Sequence, residues 1–166
     1  MAEIIAERLT GTTAASFSNA AMQWGTEKEP EARAAYSFYA DTEVVEVGFV
    51  THPTIAMSGA SPDGHIGDDG STEFKCPQTA THLETLLGEP IAAKYITQCQ
   101  WQMACNGRKW CDWASFDPRL PENMRLFVKR INRDDAMIAD LEKNVRDFLA
   151  EVDFKIAALT KLYGKS

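Results

Sequence analysis

Apolar residues change their spacing several times along this chain, and each change marks a predicted element. Ile5 and Leu9 lie four apart, the step of one helix face, and Gly11 closes a helix over Ala2–Thr10. The small-residue stretch "TTAASFSN" reads as a loop, and Asn19 is placed to cap the helix "AAMQWGTEKEPEARAAYSFYAD". Gly25 and Pro30 weaken that helix, and a kink is expected near Pro30. Strand signals follow. "EVVEVGFV" is valine-rich, "THP" turns the chain, and "TIAMSGAS" returns, so strands are predicted over 43–50 and 54–61. A turn over Gly67–Gly70 precedes a third short strand, "STEFKC".

"TATHLETLLG" and "AAKYITQCQWQMACNG" read as helices, each ended by glycine. "KWCDWASFD" and "MRLFVKRI" are two further strands with Pro118 and Pro121 between them. From Asp134 to Tyr163 one long helix carries Ile138, Leu141, Val145, Phe148 and Val152 at steps of three and four. Ile156, Leu159 and Tyr163 continue that stripe, which is expected to pack on its own domain. No repeat or long linker divides the chain. The expectation is one α/β domain over residues 1–166, a mixed sheet flanked by helices with a long C-terminal helix.

Composition narrows the class. Hydrophobic residues are 45% and charged residues 25%, as in soluble globular proteins. No apolar run approaches the ~18 residues of a membrane span, and the start is amphipathic, so a cytoplasmic protein is expected. The net charge of -7 argues against a general coat for polyanions, yet permits one locally basic groove. Cys76, Cys99, Cys105 and Cys111 form no CxxC pair and read as reduced thiols. Cys99 and Cys105 diverge on a helix, which opposes a shared iron–sulfur cluster. His52, His65 and His82 read as turn or surface residues, and Trp101, Trp110 and Trp113 as core rather than base-stacking residues.

The chemistry concentrates in "SGASPDGHIGDDGSTEFKCPQTATH". On a strand, Glu73 and Lys75 share one face while Phe74 points to the other, into the core. Asp63 is expected at the end of the preceding strand, with the Gly67–Gly70 turn returning the chain beside it. Two carboxylates held together repel unless a cation separates them. Carboxylate and carbonyl oxygens suit Mg²⁺ or Mn²⁺ rather than zinc. A lysine beside such a cation can orient or deprotonate a water and stabilise charge on a phosphate. These are parts for metal-assisted phosphodiester hydrolysis. Taken singly, "SPDG" is an ordinary β-turn and an exposed ExK two solvated charges; a calcium loop lacks its alternating acids. On the helix "KYITQCQWQM", Tyr95, Gln98 and Gln102 share one stripe that could face a cleft, and Gln100 points away.

The blocks "ERLTG", "QWGTEKEPEARAAY", "GASPDG", "EFKCP", "KYITQCQWQM", "FDPR" and "NRDD" together resemble the PD-(D/E)xK nucleases, and within them the phage lambda exonuclease and YqaJ-type viral recombinase family. The resemblance implies a restriction-endonuclease-like core and Mg²⁺-dependent 5′→3′ degradation of one strand of duplex DNA from its ends. It implies that Asp63 and Glu73 are metal carboxylates, the Phe74 carbonyl a further ligand, and Lys75 the catalytic lysine. Glu29 falls where the family keeps a helix-borne acid near the metals, although an ion pair with Arg33 would also explain it. Tyr95 and Gln98 match positions near the reacting phosphate, as a phosphate contact and as a residue orienting the water or Lys75. A single-strand annealing protein as partner and a ring-like trimer are implied too. Two other readings stay open: a structure- or site-specific endonuclease, and a non-catalytic DNA-end-binding or adaptor protein. Relatives carry a further segment of ~30 residues, longer than ordinary loop variation, with an arginine for the 5′-phosphate. Nothing in residues 1–18 matches it, so slow cutting with little preference for 5′-phosphate ends is expected.

Overall fold

The computed structural model describes residues 1–13 and 19–164. Residues 14–18, which hold most of the expected "TTAASFSN" loop, and residues 165–166 lie outside the described residues. The elements run α1 (Ala2–Thr10), α2 (Ala20–Ala40), β1 (Val50–Thr51), β2 (Gly59–Ala60), β3 (Gly64–Ile66), β4 (Gly70–Lys75), α3 (Thr79–Leu86), α4 (Ala93–Asn106), β5 (Trp110–Phe116), a single 3-10 turn (Glu122–Met124), β6 (Leu126–Asn132) and α5 (Asp135–Tyr163). The described residues divide into two compact units at Ile138/Ala139, with α1 belonging to the later one.

The larger unit is built on a four-stranded sheet in the order β3-β4-β5-β6. β4 and β5 are parallel, and the outer pairs are antiparallel. A parallel pair needs a crossover, which α3 and α4 supply. β4 and β5 are buried almost throughout rather than alternately, as expected of strands covered on both faces. One face packs Cys99 and Met103 of α4 against Cys111, Trp113 and Ile131. The other packs Ala32 and Tyr36 of α2 against Phe74, Ala114 and Phe116. The alternation of β4 is thereby resolved: Phe74 faces α2, and Glu73, opposite Trp113 in the ladder, faces α4.

The Asn19 side chain accepts the Met22 N–H at 2.9 Å, as an N-cap should. α2 then continues through Pro30 without a break, because Ala32 and Tyr36 beyond it are anchored in the core. The Tyr36 hydroxyl donates to Asp112 at 2.6 Å, and Arg130 donates to both oxygens of the same carboxylate at 2.8 Å. The Arg130 guanidinium also lies 3.6 Å from the centre of the Trp110 ring. α2, β5 and β6 are thus joined at one buried acid. Burial first, then Asp112, pushes the Tyr36 hydroxyl well above its ordinary pKa.

Several expectations are corrected. Of 43–50, Val45 makes one isolated bridge to His65, and only Val50 enters a strand. β-Branched residues favour extended backbone but need a partner strand, and this stretch has none along most of its length. Of 54–61, only Gly59–Ala60 is strand; Ile55 is buried, and Met57 turns the chain with φ 62°. β3 was hidden among the turn residues of "SPDGHIGDDG". His52 and His82 are not surface residues. His52 is buried, stacks on Trp101 at 5.1 Å and accepts the N–H groups of Thr54 and Ile55. His82 is fully buried between Ser115 Oγ at 2.7 Å and the Met124 carbonyl at 2.8 Å. His65 is half-buried on β3. The three tryptophans are structural: Trp113 lies in the core, Trp110 under Arg130, and Trp101 donates to the Gly59 carbonyl at 3.1 Å.

In the smaller unit, Arg8 of α1 pairs with Asp153 of α5 at 2.6 Å. Val152 of the long stripe is buried there, whereas Tyr163 is 80% exposed and does not pack as expected. No helix among the described residues is long and apolar enough to cross a membrane.

Removing Asp112 should be the costliest single change in the polar core described above. Asp112→Ala leaves the Tyr36 hydroxyl buried without its acceptor, an expected loss of ~2–3 kcal/mol, whereas Tyr36→Phe should cost ~1 kcal/mol. Urea denaturation of the two variants checks the order, and equal midpoints would contradict it.

Candidate functional site

β3 pairs with β4 only as far as Thr72, so the edge of β4 carrying Glu73 to Lys75 extends past its neighbour. Asp63 occupies that edge. Its N–H donates to the Thr72 carbonyl at 3.2 Å, and its carboxylate accepts the Phe74 N–H at 2.6 Å. Asp63 therefore sits at the entrance of β3, not at the end of a preceding strand. The N–H and C=O of one strand residue leave on the same edge, so the Phe74 carbonyl is directed to the side Asp63 occupies.

On the opposite side of the Glu73 carboxylate stands α4. Glu73 is buried, at 1% exposure, and both of its carboxylate oxygens accept hydrogen bonds. Its Oε1 accepts the Lys75 ammonium and, at 2.7 Å, the Gln98 amide. Its Oε2 accepts the Gln102 amide at 2.5 Å. Tyr95 lies one turn before Gln98, with Lys75 Nζ 5.3 Å and Lys94 Nζ 4.8 Å from its ring centre. The stripe Tyr95–Gln98–Gln102 thus faces the acids. Gln100 points elsewhere, donating to the Asn132 carbonyl and accepting the Asp134 N–H.

Glu29, on α2, pairs with Arg33 at 2.7 Å, and Arg33 also pairs with Glu46. The ion pair does not remove Glu29 from the site. Glu29, Asp63, Lys75, Tyr95 and Lys94 border one open cavity of about 570 Å³. Lys75 and Tyr95 also border a second cavity of about 470 Å³, walled by Ile91 and Trp113.

The electrostatics are unbalanced. Burial first, then Glu73, and more weakly Glu29, push the Asp63 carboxyl up to about 7. Lys75 opposes that rise without cancelling it. Burial would lower the Lys75 ammonium, but Glu73 and Asp63 outweigh it and raise its pKa, so Lys75 is a charged donor here. Burial holds the neighbouring Cys76 thiol up at about 11, leaving it protonated.

Among the described residues no three His, Cys, Asp or Glu side chains form a ready-made metal cage. The donors present are two carboxylates and a strand carbonyl beside a wide cavity. That set fits Mg²⁺, which binds one or two carboxylates and keeps several waters, and does not fit zinc.

Gln102 received no role from sequence beyond its place in the stripe. The available signal was its spacing, i+4 from Gln98, which puts two amides over the same strand residue.

The sheet, its flanking helices and the acid–acid–lysine edge define a restriction-endonuclease-like nuclease core. The chain belongs to the YqaJ-like viral recombinase domain family, which it matches over residues 2–109. It is 53% identical to an alkaline exonuclease from Laribacter hongkongensis, covering 96% of this chain and 81% of that one, with a TM-score of 0.91. The complex of that exonuclease with dAMP matches at 54% identity, a TM-score of 0.91 and the same coverage, 96% and 81%. A phage-related exonuclease from Haemophilus somnus 129PT shares the fold at 16% identity, with a TM-score of 0.78 over 95% of this chain and 81% of that one. No curated protein matches the sequence.

The Asp63 shift has a signed consequence. Its folded pKa, about 7, lies above the ~3.9 of an unfolded aspartate. The stability this group contributes is therefore complete below pH ~4 and is lost as pH rises through about 7. In the presence of a chelator, Asp63→Asn should raise the melting temperature at pH 8, with the gain shrinking toward pH 4. A variant less stable than wild type at pH 8 would contradict the crowded-charge account.

Proposed function

We propose that this protein is a Mg²⁺-dependent exonuclease that degrades one strand of duplex DNA in the 5′→3′ direction. An enzyme that hydrolyses DNA follows from its family and from 53% identity to an alkaline exonuclease. The observation that carries the finer reading is the open edge of β4, where Asp63 and Glu73 crowd negative charge against Lys75 beside an open cavity of about 570 Å³. The dAMP bound to the Laribacter exonuclease is a single deoxynucleotide, the kind of product that stepwise cleavage releases.

Asp63, Glu73 and the Phe74 carbonyl would hold the cation, with Glu29 reaching it through the shared cavity, and Mn²⁺ would substitute. When bound, the cation supplies positive charge to a phosphate oxygen and to the attacking water. The protein's own residues do the rest. Lys75, as an ammonium, donates to the water or to the charge growing on the phosphate. Gln98 fixes the carboxylate that Lys75 leans on, and Tyr95 lines the path of the phosphate. The substrate is a duplex end, and a single-strand annealing protein would take up the strand left behind in recombination. A homo-oligomer, as a ring-like trimer, would hold the duplex through successive steps in the cytoplasm.

The test uses linear duplex labelled at its 5′ or 3′ end, with and without Mg²⁺. Early release of the 5′ label as mononucleotide, with Mg²⁺ only, is expected. Cutting of closed circular DNA would favour an endonuclease, and duplex binding without nucleotide release a non-catalytic end-binding protein. Lys75→Ala should lower cleavage ~10²–10⁴-fold, the range for loss of a positioned acid–base group. Mg²⁺ and DNA binding should persist, and retention of more than ~10% of activity would contradict the assignment. Calcium should occupy the site with little turnover, because its looser coordination misplaces the water.

A further inference from the structure

The two oxygens of Glu73 are held differently. Oε1 is the atom shared by Gln98 and by Lys75, which borders the cavity. Oε2 is turned inward and held by Gln102 at 2.5 Å. Gln102 is itself 1% exposed. Its amide nitrogen also lies 3.5 Å from the Ser61 carbonyl, two residues before Asp63. Its own Oε1 accepts the Cys111 thiol at 3.9 Å, so both ends of the amide are engaged. One buried side chain on α4 therefore touches the strand of one acid and the segment that delivers the other.

A carboxylate on a strand can rotate about its terminal bonds, and a divalent cation needs its ligand oxygen at a fixed place. We propose that Gln102 is the positioning residue of the centre: by occupying Oε2 it assigns Oε1 to the cation and sets the spacing between Glu73 and Asp63. This inference rests on the metal reading of the site given above. Gln98 cannot do the same, because it binds the working oxygen and competes with whatever arrives there. Gln102 borders neither cavity, so it acts through Glu73 and through the Ser61 carbonyl ahead of Asp63.

Gln102→Met keeps the length and volume of the side chain and removes the donor. Losing a partner that orients a metal ligand typically costs ~10–100-fold in affinity. Calorimetric titration with Mn²⁺ should show a loss of that size in Gln102→Met, while duplex KM at saturating Mn²⁺ stays near wild type. In a Glu73→Gln background, adding Gln102→Met should produce a much smaller further loss of Mn²⁺ affinity than it does in the wild type. A residue that merely stabilises the fold would weaken both backgrounds alike. Equal Mn²⁺ affinity in wild type and Gln102→Met overturns the proposal and leaves the exonuclease reading intact. A wild-type protein that binds no Mn²⁺ removes the metal reading, and the proposal with it. Should Gln102→Met fail to melt cooperatively, the wild type answers instead. Its Gln102 side-chain amide resonance should shift as Mg²⁺ saturates the site, and an unmoved resonance at saturation overturns the proposal.

Discussion

A carboxylate sealed inside a sheet-and-helix sandwich must have every oxygen occupied, and Glu73 imposes that condition on its surroundings. Burying it without partners would cost several kcal/mol. The strand's backbone does not supply them: the free Phe74 N–H goes to Asp63. They come from α4, which places Gln98 and Gln102 above the strand, and from Lys75 two residues along. The crossover that makes β4 and β5 parallel is the same device that brings α4 there. Topology and chemistry meet at this one side chain.

The second constraint is the shortness of β3. A longer neighbour would have paired with Phe74 and closed the edge. Instead the Asp63 carboxylate takes the place of a strand acceptor, accepting the Phe74 N–H while leaving an oxygen for other work. Burial there, with Glu73 beside it, lifts the Asp63 carboxyl to about 7. The fold thus tolerates a local electrostatic strain at this edge, as at many sites where function works against stability.

Much of this was legible in sequence. Periodicity located the five long helical segments and the three longest strands, and alternation put Glu73 with Lys75 and Phe74 opposite. Helical spacing gathered Tyr95, Gln98 and Gln102 on one face. What failed was instructive. The valines of 43–50 advertised a strand that has no partner, since pairing is a tertiary property that local preference cannot report. β3 was masked because three residues flanked by Gly and Asp look like a turn. His52 and His82 were misplaced because burial of a histidine depends on partners far along the chain, Trp101 for one and Ser115 for the other. Gln102 had the right spacing, but no local pattern distinguishes an amide that anchors a carboxylate from one that meets solvent.

The shortfall of β3 has one more consequence, for association between molecules. Unpaired strand edges are templates on which a second chain can add. Here the half-edge of β4 that β3 leaves unpaired is covered by Asp63 lying across it, with the ammonium of Lys75 at its end. A neutral, extended segment from another molecule would have to displace an acid and bury a lysine in order to pair. The charges gathered at this edge thus also oppose the joining of sheets along it.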